Sequence, residues 1–185
     1  MPSQTSLLGA AGEHYVMSEL LRRSYIAALA PQGVPNADIV VCNLEGTQLA
    51  SIQVKTRRDR GGDGGWHMKA KHEDVRSDTL FYCFVDFGAD VRTPASVYVI
   101  PSPRVAEALA VSHRKWLATP GRNGQAHNDT AIRRLLPDYT RVFGAKGNPY
   151  PKGWLDPYRD AWHLLNLEAA EVEASDDEAP LAAAG

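Results

Sequence analysis

The tripeptide Gln53-Val54-Lys55 closes a strand-like run, and its spacing is where chemistry could begin. Side chains two residues apart on a strand share a face, so an amide and an ammonium point the same way. A lysine in such a place is poorly suited to packing and well suited to meeting an anion. Two carboxylates are candidates to join them. Asp38 precedes another β-branched run, Ile39 to Val41. If Glu45-Gly46 is a two-residue turn, Leu44 pairs with Thr47 and Asp38 falls opposite Gln53. Opposed residues share a face, with Cβ atoms roughly 5 Å apart. A four-residue loop keeps that parity and a three-residue loop breaks it. Glu13 shares a helical stripe with Val16, Met17 and Leu20. A carboxylate on an apolar stripe is costly unless a lysine, a hydrogen-bond network or a metal ion meets it. Two acids, one amide and one lysine at the end of a sheet have the makings of phosphodiester cleavage. That reaction needs charge neutralised on the phosphate, an activated water and a stabilised leaving oxygen. A Mg²⁺ held by carboxylates supplies part of each, and a lysine aimed at the same point adds a fixed positive charge.

The elements that must position these residues follow from periodicity and punctuation. Thr5 or Ser6 caps a first helix running to about Arg23, and Tyr25 to Ala30 forms a short strand. "ADIVVCNL" and "QLASIQVK" are strands split by "EGT", and "GWHMKAK" is a further strand. "LFYCFVDFG" is apolar almost throughout, as a strand covered on both faces must be, and "SVYVI" follows it. Ser102 and Pro103 open a helix through about Leu117, whose "SHRKW" end is basic, matching the helix dipole. Asn128 or Asp129 caps a short helix, "TAIRRLL", and Asp156-Pro157 opens a last one, "PYRDAWHLLNL". Helix, strands, then alternating strand and helix make an α/β domain with a mixed sheet.

Glu13 on the first helix, Asp38 on a strand and Gln53-Val54-Lys55 on its hairpin partner resemble the PD-(D/E)xK nuclease superfamily. "GEHYVMSELLRRSY", "ADIVV" and "IQVKTR" are most similar to its Holliday-junction-resolvase-like and Mrr-like members. The resemblance covers roughly Ser6 to Ser102. It implies a restriction-endonuclease-like fold, a mixed central β-sheet flanked by helices, and the residues beyond it read as an added helical C-terminal region. It also implies a Mg²⁺- or Mn²⁺-dependent endonuclease, with DNA the expected substrate. Asp38 matches the metal-binding aspartate, Glu13 the helical glutamate that often completes the site, and the carbonyl of Val54 a backbone ligand. Lys55 matches the lysine that orients or activates the attacking water. Gln53 stands where an acid is usual; its oxygen can coordinate a hard cation but brings no charge, and some Mrr-like subfamilies carry glutamine there. "PNAD" matches the family motif loosely, with proline at 35 and the acid at 38. The rival within the same fold is a catalytically degenerate module that binds nucleic acid or protein. Outside it, the rival is an unrelated α/β interaction domain, in which Asp38 and Lys55 would not face each other. Many relatives act as dimers, which leaves a homodimer open, and no dimer interface is legible here.

The basic segment after Lys55 extends the expectation. Arg57, Arg58 and Arg60 lie on a glycine-rich loop where they could reach phosphates. His67, Lys69 and Lys71 would share one face of the next strand. Trp66 at its start suits the core better than a base. The chain's net charge of -2 hides an asymmetry: residues 168–185 hold six acids and no base, leaving the body at +4. That tail reads as a solvated, disordered solubility segment, or as a mimic of nucleic acid over a basic groove. A single domain is expected over residues 1–167, with a core at about 6–118 and a helical extension at 119–167. Cys42 and Cys83 sit in apolar runs without metal spacing and read as buried thiols suited to a reducing compartment. The N-terminus lacks the features of a signal peptide and no run reaches transmembrane length, so the expected location is the cytoplasm, with no membrane partner. Phosphate-loop, dinucleotide and nucleophile-elbow motifs are absent from the sequence.

Overall fold

The computed structural model describes residues 3–59, 62, 64–121 and 123–167. Helix α1 (Gln4–Leu21) leads into strands β1 (Ile26–Leu29), β2 (Ile39–Cys42) and β3 (Leu49–Arg57). Then come β4 (Trp66–Lys69), a 3₁₀ turn (Ala70–Glu73), β5 (Leu80–Asp86), β6 (Ser96–Pro101) and helix α2 (Ser102–Leu117). The remainder holds β7 (Ile132–Leu135), a short helix α3 (Thr140–Phe143) and 3₁₀ turns at Asp156–Tyr158 and Trp162–Leu165. The five-stranded sheet runs β1-β2-β3-β5-β6. It is antiparallel except between β3 and β5, so it is the mixed, helix-flanked sheet that the sequence leads one to expect. Strands β4 and β7 form a separate antiparallel ribbon. Among the described residues, no helix is long and apolar enough to cross a membrane.

Two cores lie on opposite faces of the sheet. On one, Val16 and Leu20 of α1 pack against Ile39, Val41, Ile52 and Val54. On the other, Tyr82 and Phe84 of β5 meet Trp66, Leu109 and Leu135. Strand β5 supplies both, and six of its seven residues are buried. Helix α1 approaches β3 closely because residue 12 is glycine: a Cβ there would lie 1.9 Å from Thr56 Oγ1. This approach sets Glu13, the next residue, beside the end of β3. Ser3, rather than Thr5 or Ser6, caps the helix, its Oγ accepting from the Ser6 N–H at 3.1 Å.

The C-terminal region departs from expectation. "TAIRRLL" forms β7 rather than a helix. Its register against β4 pairs Trp66 with Leu135 and Lys69 with Ile132, and Arg133 and Leu135 turn inward. The unpaired edge of β4 offers ladder hydrogen bonds that outweigh the weak local preference of this short run. The expected last helix is two 3₁₀ turns, because the chain is tied to the edge of β6. Arg159 bridges Tyr98, and the Asp160 N–H donates to the Val97 carbonyl at 3.0 Å, with Asp160 at φ 48°. Among the described residues, the region after α2 is therefore largely non-helical. Ser102 does not cap α2; its hydroxyl accepts from the Ser77 N–H and donates to the Ser77 carbonyl. The acidic tail, residues 168–185, lies outside the described residues.

Candidate active site

Register comes first. Ile39 pairs with Ile52 across β2 and β3, so Asp38 stands opposite Gln53. The connection is longer than two residues, spanning 43–48, but its even length preserves parity. Asn43 organises it: its Oδ1 accepts from the N–H groups of Thr47 at 2.9 Å and Gln48 at 3.0 Å. Gly46 supplies the positive φ of the turn, 68°.

Strand β2 begins at Ile39, so from Val54 onward that edge of β3 has no strand partner among the described residues. Asp38 fills the first gap. Its Oδ2 accepts from the Val54 N–H at 2.7 Å and from Gln53 Nε2. Gln53 is buried and Lys55 is half-buried two residues further along the same face. Desolvation pushes the Lys55 ammonium below its ordinary value. Asp38 and Glu13 oppose that shift, while Lys71 and Lys69 reinforce it. Burial, followed by the charge of Asp38, raises the Glu13 carboxyl, and His14 and Lys55 counter it. The four expected residues thus form one electrostatic cluster, with Asp38 and Gln53 in direct contact.

Beside it a cleft of about 390 Å³ is lined by Gln53, Lys55, His67, Lys69, Lys71 and His72, among others. His67 and Lys69 occupy the exposed face of β4. Lys71 belongs to the 3₁₀ turn rather than to the strand, yet it reaches the same cleft, and its Nζ donates to Asn36 Oδ1 at 2.9 Å. His72 lines the same cleft. Its ring is buried, with Nδ1 2.8 Å from the Tyr82 hydroxyl. Desolvation, then Lys55, Lys71 and Lys69, lower its pKa to about 4, so the imidazole is neutral near pH 7. Burial and the contact with Tyr82, on a strand ten residues away, distinguish His72 from a surface histidine.

The arginines separate. Arg57 does not stand free on a rim: it pairs with Asp86 and Gly64 O, and its guanidinium lies 4.5 Å from the Trp66 ring centroid. Trp66 is core, with Nε1 donating to the Val85 carbonyl at 3.0 Å. Arg58 lines a separate groove with Leu7, Leu8 and Phe87. Arg60 lies outside the described residues.

The donor set suits a hard cation. Glu13, Asp38 Oδ1, Gln53 Oε1 and the Val54 carbonyl are all oxygens, and the crowding of Asp38 on a partly desolvated Glu13 is what a cation would relieve. The charge is low, because Gln53 contributes none. No group of three or more His, Cys, Asp or Glu side chains able to hold a metal occurs among the described residues.

No family model and no curated protein matches this chain. Among solved structures it is similar to a bacterial homing endonuclease, I-Ssp6803I, at 18% identity and a TM-score of 0.48, covering 89% of this chain and 92% of that one. It is also similar to Archaeoglobus fulgidus Hjc, a Holliday junction resolvase from an archaeal hyperthermophile, at 15% identity and a TM-score of 0.40, covering 69% and 83%.

Proposed function

We propose that this chain is a metal-dependent nuclease that hydrolyses phosphodiester bonds in DNA, working in the cytoplasm, where Cys42 and Cys83 would stay reduced. One observation carries the reading: Asp38, Gln53 and Lys55 share one face where β3 outruns β2, with Glu13 in electrostatic reach. Glu13, Asp38, Gln53 and the Val54 carbonyl would hold Mg²⁺ or Mn²⁺, which when bound supplies Lewis acidity and a more acidic water. Lys55, already partly stripped of water, would place its charge against a non-bridging phosphate oxygen and orient the attacking water. Lys69 and Lys71 would hold the flanking phosphates in the cleft.

The test is cleavage of plasmid and single-stranded DNA in Mg²⁺, Mn²⁺ or EDTA, with Asp38→Ala protein alongside. Metal-dependent cleavage that the variant lacks is the expected result. Absence of metal binding by calorimetry, with and without DNA, would sink the reading. The direct contact between the Gln53 amide and Asp38 favours a second one, a degenerate binder whose amide replaces the metal. Gln53→Glu separates the two. A nuclease should need less metal, because ligand charge governs hard-cation affinity, whereas activity that appears only in the variant identifies the binder.

A further inference from the structure

Behind the β4–β7 ribbon lies a second hollow, of about 590 Å³, between the end of α2, β7 and α3. That volume falls in the range that takes a small organic ligand, roughly 300–1,000 Å³. One wall is a run of near-parallel rings. His127 lies 4.0 Å from Trp116 with planes 19° apart, and His113 lies 5.4 Å from Trp116 with planes 26° apart. The chain turns back after α2 to make this stack. It is anchored by the 2.8 Å contact between His113 Nε2 and Asp129 Oδ1, and Arg133 also lies 3.4 Å from Asp129. His127 is therefore a member of an aromatic wall. The hollow also holds Arg141, which is exposed and makes no ion pair among the described residues. Aromatic planes beside a cation are the chemistry that accepts a base and its phosphate. Ile132, 61% exposed at the start of β7, lines both this hollow and the Lys55 cleft. One strand of nucleic acid could therefore pass from one to the other.

The geometry points to a nucleotide pocket: the hollow takes one unstacked nucleotide of the strand whose phosphate lies at Lys55, its base continuing the His127–Trp116–His113 stack and its phosphate meeting Arg141. In taking the strand through the cleft, this inference rests on the nuclease reading. It narrows the substrate to nucleic acid with an unpaired or extrudable nucleotide near the cleaved bond. A base inside a duplex cannot enter without being unstacked, so DNA that already offers a loose base is favoured.

The test is fluorescence anisotropy in EDTA with two labelled duplexes, one fully paired and one carrying a single bulged nucleotide. Wild type should bind the bulged duplex about 10-fold more tightly, toward the lower end of what a stacked base contributes. Trp116→Ala and His127→Ala should each abolish that preference while leaving affinity for the paired duplex within about twofold. Should Trp116→Ala fail to fold, His127→Ala, a change in a loop side chain, decides. Equal affinity in wild type, or a preference that survives both substitutions, overturns the pocket. Cleavage without the preference overturns the pocket alone. The preference without cleavage sinks the nuclease reading and supports the pocket.

Discussion

Lys55 and Arg57 stand two residues apart on one face of β3, and they live in opposite circumstances. Around Arg57 every interaction is internal: Asp86 neutralises it, the Gly64 carbonyl accepts from it, and Trp66 lies beneath it. Around Lys55 the protein withdraws water, sets Lys69 and Lys71 nearby and offers Asp38 and Glu13 as partial compensation. A cation with its partners supplied locks structure. On the nuclease reading, Lys55, held partly desolvated beside other cations, is the charge kept for a ligand.

That contrast can be broken by experiment, beginning where the effect is largest. Lys55→Ala should slow cleavage by about 10²–10⁴-fold, the range for losing a positioned charge or proton-transfer group, while the urea midpoint stays near that of wild type. A large loss of stability instead would make Lys55 structural. Arg57→Ala should do the reverse. It strands Asp86 and uncovers Trp66, at about 3 kcal/mol of unfolding free energy, and the folded fraction should keep most of its activity. Equilibrium denaturation and active-site-normalised rates check both halves.

His72 sharpens the comparison through pH. Its folded pKa is lowered from 6.5 to about 4, so between those values the unfolded chain binds the extra proton. The stability that depends on neutral His72 is therefore complete above the unfolded pKa and is lost as pH falls through that window. The loss is roughly 2–3 kcal/mol. Urea midpoints measured from pH 7 to pH 4 should fall in wild type and flatten in His72→Gln. A parallel fall in both would remove His72 from the account.

Much of the site is legible in the order of the residues. Gln53 and Lys55 share a face because strand side chains alternate, and Asp38 meets Gln53 because an even connection preserves parity, although it spans 43–48 rather than 45–46. The helical stripe that holds Val16 and Leu20 also places Glu13. The apolar continuity of β5 announces a strand covered on both faces. These are local periodicities, which a chain carries wherever it folds. "TAIRRLL" is not legible in the same way. Its helical and strand patterns are both weak over seven residues, and the open edge of β4 decides between them.

Sequence alone therefore determined which side chains share a face of each strand and which strands run through the interior, while the length of the 43–48 connection decided that Asp38 meets Gln53 at the end of the β2–β3 hairpin. Tertiary structure alone decided the fate of each charge and of the ambiguous segments. Arg57 meets Asp86 and Arg133 meets Glu73. His72 meets Tyr82, and His127 lies on Trp116. The physical reason is that periodicity is a property of neighbours along the chain, whereas pairing and desolvation depend on what the fold brings alongside, and every one of these partners comes from another element.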